Sequence, residues 1–507
     1  MAWSDPHLEN PADFPKPVFI WRGSCCHTPQ LIYITVSGNS KTKTMKKTLL
    51  FIAVILLSNI TFGQSRQSEQ LDSLFTSLYN KKMFNGNVLI AEKGKTLFQK
   101  SYGLANEEIK QELNNQTIFE LASVSKQFTA MGIVLLKNQG KLKYDDKISK
   151  YIPELSFYGD ITIQNLLNHT GGLPDYMELF EEKWDKTKFA TNQSIVDLFV
   201  QHKPEADFKA GEKFEYSNTG YAFLGLIIEK ASNKTFGQYL NENIFKPLKM
   251  TKTFVYRSRY EPKTVENYAL GYVTDSLGNK VLTNSFGKEF YTYYLDGIVG
   301  DGMVNSTTED LLKWDRALYG NKLVNQKDKE LIFSKVKTNN GDESKYGFGW
   351  SIGTAEKYGK IVNHSGGWAG YVTFIERHLD NDKTIIILQN NATELTALPV
   401  REVRRILYNE PLATNDLNPV ELTSKDLEKY VGIYSNEQIP FTLTIWVKDS
   451  TLFAQASGEG QGAFPLDSYE NHTFKFDPVQ VKIIFDTDKN ELDFYQGNMN
   501  LKFKKTE

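Results

Sequence analysis

Ser123-Val124-Ser125-Lys126-Gln127-Phe128-Thr129-Ala130-Met131-Gly132-Ile133-Val134-Leu135 is the stretch on which the reading of this chain turns. Val124, Phe128, Met131 and Leu135 share one helical face, Ala130, Ile133 and Val134 widen it, and Gly140 ends the run, which predicts a core helix. Positions i and i+3 of a helix share a face, so the Lys126 amine stands one turn from the Ser123 hydroxyl, within hydrogen-bond reach. A serine is a poor nucleophile at neutral pH, and a lysine can deprotonate it only where burial or nearby positive charge lowers the lysine pKa. The apolar run supplies that burial. Taken alone, Ser-x-x-Lys is a short motif that chance also produces.

Two further segments add to it. Tyr216-Ser217-Asn218 lies in a turn after the polar run Lys209 to Lys213, ahead of an apolar helix predicted from about Thr219 to Ala231. Tyr216 and Asn218 can therefore point into one cleft. His364-Ser365-Gly366-Gly367 precedes Tyr371 to Ile375, a strand by its β-branched and aromatic content. With these motifs in this order, the chain resembles the serine β-lactamase and penicillin-binding-protein superfamily, in the branch of class C β-lactamases, D-aminopeptidases, D-alanyl-D-alanine carboxypeptidases and related esterases. Asn87 to Ala91 with Lys95 to Phe98 is similar to the family's opening hairpin, Leu167 to Pro174 to a family turn, and Gly300 to Val304 to the glycine turn before a late helix. The resemblance covers roughly residues 70 to 405.

Acyl transfer through a serine needs a nucleophile, a proton acceptor that later donates, and two donors aimed at the oxyanion. Ser123 is the nucleophile. Lys126 and the Tyr216 phenol are both candidates for the proton shuttle, since a phenol beside an ammonium has a lowered pKa and either can hold the proton at rest. The Ser123 amide at a helix N-terminus is one oxyanion donor. The resemblance implies the Gly367 amide as the other, and substrate-binding roles for Asn218, His364 and Gly366, with Asn218 on the acyl-side amide. His364 departs from the family pattern, because penicillin-binding proteins and most β-lactamases keep a lysine there. A histidine is mostly neutral at pH 7, and its protonation below about 6.5 is expected to mimic the lysine in part. Carboxylate-bearing substrates are expected to lose their advantage accordingly.

Other motifs have structural readings. His169 sits at a helix end, where C-terminal capping is its expected task and keeps it outside the site. Ser306-Thr307-Thr308-Glu309 fits a capping box before Leu311, Leu312 and Trp314. The histidines are scattered and no His-Glu-x-x-His run exists, so no metal site and no cofactor are expected.

Met45-Lys46-Lys47, the apolar run Thr48 to Leu57, and Ser58 to Gln64 have the layout of a signal peptide. The run is short for a membrane span, which needs about 20 apolar residues. Residues 1–44 then read as an over-extension of the reading frame with translation starting at Met45; a cytoplasmic extension ahead of a signal anchor is the alternative. Cys25 and Cys26 both lie in that extension, leaving an exported chain without disulfides. The net charge of −2 is uninformative, and no basic stripe or internal repeat points to nucleic acid or a solenoid.

A polar stretch over residues 411–419 marks a linker after a catalytic domain at 65–410. Beyond it, short strands at Phe441 to Val447, Thr451 to Gln455, Thr473 to Phe476, Val479 to Phe485, Glu491 to Tyr495 and Asn500 to Phe503 predict a small antiparallel barrel or sandwich over 420–507. The resemblance implies an α+β main domain, an antiparallel sheet flanked by helices plus a helical subdomain, with the site at their junction. It further implies a periplasmic or secreted serine hydrolase acting through an acyl-enzyme on D-amino-acid peptides or amides, peptidoglycan-derived ones included, or on small esters. A β-lactamase is the alternative enzyme, and a penicillin-binding sensor without turnover, or a degenerate adaptor, the alternative of another class.

Overall fold

Ile385-Ile386-Ile387-Leu388 reads as an unbroken apolar run because the strand that carries it is covered on both faces. The strand belongs to a six-stranded antiparallel sheet built from β1 (Gly86–Glu92), β2 (Lys95–Tyr102), β3 (Ser351–Ala355), β4 (Gly359–Trp368), β5 (Tyr371–His378) and β6 (Lys383–Gln389), in the order β3-β4-β5-β6-β1-β2. The amino-terminal hairpin closes on the last strand, with Gly86 opposite Gln389 and Glu92 opposite Lys383. The computed structural model describes residues 66–507 other than 277, 394, 412–419, 437, 438, 440, 459–461, 477–480, 497, 498 and 507. The expected signal peptide and upstream extension with Cys25 and Cys26 lie outside the described residues, as does all of the expected linker except Pro411.

Side chains alternate across a strand, so the sheet separates two cores. Leu89, Ala91, Ile386 and Leu388 pack with α2 (Lys126–Asn138), α3 (Asn218–Ser232) and α4 (Thr308–Tyr319). Val88, Ile90, Ile385 and Ile387 pack with α1 (residues 66–80) and α5 (Val400–Leu407) through Leu71, Phe75, Val403 and Ile406. Short helices at Ile163–Leu167, Tyr176–Lys183 and Asn192–His202 build the helical part beside α3.

The carboxy-terminal strands β7 (Gly432–Ser435), β8 (Thr442–Lys448), β9 (Thr451–Ala456), β10 (Phe464–Tyr469), β11 (Thr473–Phe476), β12 (Val481–Asp486), β13 (Glu491–Gln496) and β14 (Met499–Lys505) close into a barrel. Its interior is filled by alternate residues such as Leu443, Ile445, Phe474, Ile483, Phe494 and Phe503, which join the same buried cluster as α1 and α5. Two of these strands, β7 and β10, are absent from the sequence reading. Pro465 argues against a paired strand, yet it is tolerated because Pro465 is laddered only to Phe453 of β9, and pairing with β11 starts at Asp467.

Three further boundaries differ from expectation. The His364 motif precedes β5 as expected but itself lies within a strand, β4. Asn218 already opens α3, with Ser217 as its cap. Ser306 ends a short strand, Val304–Ser306, and Thr307 caps α4 by accepting from the Asp310 amide, one residue later than the expected box.

Candidate active site

The nucleophile sits on a tight 3-10 turn, Ala122–Ser125, that runs straight into α2. Ala122 takes φ +48°, a left-handed conformation that costs a non-glycine residue roughly 1–2 kcal/mol. The strain turns Ser123, half-buried, out of an otherwise buried segment. Two bonds hold the turn. Ser125 Oγ accepts from the Val304 amide at 3.1 Å, and Thr373 Oγ1 on β5 donates to the Leu121 carbonyl at 2.7 Å.

Lys126 is fully buried, and its Nζ lies 3.0 Å from Ser123 Oγ, 3.0 Å from Asn218 Oδ1 and 2.8 Å from the Asp301 carbonyl oxygen. Three acceptors match the three N–H bonds of an ammonium. A neutral amine keeps two of them and turns its lone pair to Ser123, so the same contacts serve both protonation states. Nζ also stands 5.0 Å from the Tyr216 ring centroid and 5.8 Å from that of Tyr221. Ser123, Lys126, Tyr216 and Asn218, separated by 95 positions at the extremes, thus converge on one point. With Oδ1 of Asn218 held by Lys126, its Nδ2 has no partner among the described residues.

β4 forms the opposite wall. β3 leaves β4 at Asn363, so residues 364–368 pair only with β5, and Gly367 is exposed on the free edge. Gly366 is buried beneath the nucleophile turn, where a Cβ would fall inside 3.0 Å of both Thr373 Oγ1 and the Leu121 carbonyl oxygen. Around Gly367 nothing lies within 4 Å of that position. His364 is buried behind this edge. Its Nδ1 lies 2.6 Å from the Ser365 carbonyl oxygen and its Nε2 2.7 Å from the Tyr346 hydroxyl. Burial, and then the Lys126 charge, push the His364 pKa down to about 3. The titration expected near 6.5 is thereby moved out of the physiological range, because a buried cation beside another cation is disfavoured twice.

Three residues at the site escaped the sequence reading. His169 does not cap carbonyls with its side chain; Nδ1 accepts from the Ser217 amide at 3.0 Å, and its ring packs 4.4 Å from Tyr216 and 4.4 Å from Tyr346. It orients the Tyr-x-Asn turn, and burial holds its pKa well below 6.5. Asp301 presents its carbonyl to Lys126 while its carboxylate accepts from Tyr176 at 2.9 Å, burial raising its pKa. Tyr346 opens Tyr346-Gly347-Phe348-Gly349-Trp350, and this alternation of aromatics with glycine was the available signal. Among the described residues no cluster could hold a metal ion, and no helix is long and apolar enough to cross a membrane.

Residues 71–409 match the family described as Beta-lactamase, and residues 418–503 match a domain of unknown function, DUF3471. The chain is 41% identical over 379 residues to penicillin-binding protein 4* of Bacillus subtilis, covering 73% of this chain and 84% of that protein. Among solved structures it is similar to the octameric penicillin-binding protein homologue from Pyrococcus abyssi, with a TM-score of 0.60 at 23% identity over 86% of this chain and 99% of that one. It is also similar to the D-amino acid amidase from Ochrobactrum anthropi complexed with D-phenylalanine, with a TM-score of 0.56 at 24% identity over 68% and 99%. At these identities the two structures bear on the fold.

Proposed function

Because the chain belongs to the beta-lactamase family, we propose that it is an exported serine hydrolase that cleaves amides or esters through an acyl-enzyme, with D-amino-acid peptides or amides and small esters as its substrates. The observation that carries this reading is the buried Lys126 amine 3.0 Å from Ser123 Oγ, with the Tyr216 ring centroid 5.0 Å from that amine. Ser123 Oγ attacks the carbonyl carbon, and its proton passes to the Lys126–Tyr216 pair. The Ser123 and Gly367 amides receive the oxyanion. The pair returns the proton to the departing amine or alcohol, leaving an ester on Ser123. Water then attacks with the pair again as base and regenerates the serine.

Asn218 Nδ2 is placed to hold the carbonyl on the acyl side, since Lys126 already takes Oδ1. Gly366 admits the close approach of β4 to the nucleophile turn, and His364 stands neutral and buried behind the free edge of that strand. Likeness to a penicillin-binding protein at 41% identity supports a second reading, in which penicillins acylate Ser123 and leave slowly. A D-alanine anilide, a short-chain aryl ester and nitrocefin, each followed by intact mass, separate the two. Turnover of anilide or ester without lasting adduct supports the hydrolase, whereas a persistent nitrocefin adduct without turnover supports the binding protein.

A further inference from the structure

We propose that Tyr346 is a positioning residue that fixes the neutral Nδ1–H tautomer of His364, leaving the cleft without a cationic anchor for a substrate carboxylate; this deepens the hydrolase reading above and rests on it. Tyr346 is 2% exposed, and its hydroxyl lies 2.7 Å from His364 Nε2. The Ser365 carbonyl oxygen 2.6 Å from Nδ1 can only accept, so Nδ1 carries the hydrogen, and the Tyr346 phenol, which burial keeps protonated, donates to Nε2. Both nitrogens are thereby spent inside the protein.

The titratable groups that face this imidazole are Lys126 from α2, His169 from the loop after Ile163–Leu167, Tyr216 from the turn before α3, and Tyr346 with its neighbour Tyr221. Protonating His364 would place a second cation beside Lys126 and require the Tyr346 hydroxyl to turn from donor to acceptor. The same tautomer supports the Ser365 carbonyl two residues before Gly367, which ties Tyr346 to the free edge of β4. A carboxylate next to the scissile bond then finds an uncharged wall. It forgoes the roughly tenfold advantage in kcat/KM that a charge-assisted hydrogen bond to a cation would give.

Nitrogen-15 NMR of histidine-labelled protein, with His364→Gln assigning the signal, reads the tautomer without any turnover. The expected spectrum has Nδ1 protonated and Nε2 unprotonated, unchanged from pH 8 to pH 5. Tyr346→Phe, which removes one oxygen, should move the Nε2 signal towards that of an unpartnered acceptor and raise the midpoint by about one pH unit. An Nε2–H tautomer, a midpoint between pH 5 and 8 in the wild type, or a His364 signal indifferent to Tyr346→Phe would overturn the proposal. The kinetic arm uses two aryl esters differing only by a carboxylate on the leaving group. Their kcat/KM ratio should lie near one and stay flat over that pH range; a carboxylate ester favoured about tenfold, or gaining on the neutral one as pH drops to 5, overturns the assignment. If neither ester is cleaved the hydrolase reading fails, and the wild-type spectrum still decides the tautomer.

Discussion

Replacing Gly366 by alanine inserts a methyl group where β4 passes beneath the nucleophile turn. The new Cβ would sit inside 3.0 Å of Thr373 Oγ1 and of the Leu121 carbonyl oxygen, and 3.2 Å from Ala122 Cβ. Neither the backbone carbonyl nor the strained Ala122 has room to yield, so the turn must lift from the sheet. Overpacking of this kind costs about 1–3 kcal/mol. The Thr373 to Leu121 hydrogen bond that crosses the same gap adds roughly 1 kcal/mol when it breaks. The expected loss of stability is therefore about 2–4 kcal/mol, read from the urea midpoint at constant slope. Activity should fall further than stability predicts, because displacing Ser123 by about 1 Å costs on the order of a hundredfold. Gly367→Ala is the internal control for packing: its Cβ meets nothing within 4 Å, so its midpoint should equal that of the wild type. The assays are urea denaturation, ester hydrolysis under folded conditions, and fluorophosphonate labelling rate. A Gly366→Ala protein with wild-type midpoint and labelling rate would refute the placement of the nucleophile turn against β4.

Ser123→Ala and Lys126→Ala should each lower kcat/KM by several orders of magnitude, since residues of one catalytic unit act together; intact mass after fluorophosphonate should show no adduct, and labelling of a different serine would contradict the site. Stability should peak near pH 6.5. Below that value the unfolded chain protonates His364 while the fold, with a pKa of about 3, does not, removing roughly 1.4 kcal/mol per pH unit, with buried His169 acting in the same direction. Glu120 has the opposite sign: burial, and then Asp296, raise its pKa to about 8. Its contribution is complete below the unfolded value of 4.5 and is lost as pH rises towards 8. In the window from 4.5 to 6.5 Glu120 opposes the histidines, whereas from 6.5 to 8 it acts alone among these three groups. Glu120→Gln should flatten the decline between pH 6.5 and 8 in urea midpoints, and an unchanged slope would count against the buried neutral carboxyl. Expressed from Met45 in a Gram-negative host, the protein should reach the periplasm with its amino terminus near Gln64; a mature chain that still carries Lys46 to Leu57 would contradict the signal peptide.

What the sequence by itself determined follows from short-range periodicity. Helical spacing places Lys126 one turn from Ser123, and the observed 3.0 Å contact needs only that spacing plus the apolar run that buries it. Six of the eight barrel strands were legible for the same reason, whereas the opening hairpin and the order of the three motifs were legible through their resemblance to the family. The properties that only the tertiary structure decided depend on atoms brought together from distant positions. His364 is a residue type with an ordinary pKa near neutrality, and its neutral state comes from exclusion of water and then from the Lys126 charge. His169 looked like a helix cap until the Ser217 amide, 48 positions away, came to its Nδ1. Gly366 carries only a substrate-binding expectation in the sequence until Leu121, 245 positions earlier in the chain, packs where a side chain would stand. Local spacing fixes which groups can meet along one helix or strand; desolvation and close approach are set by what the rest of the chain packs against them.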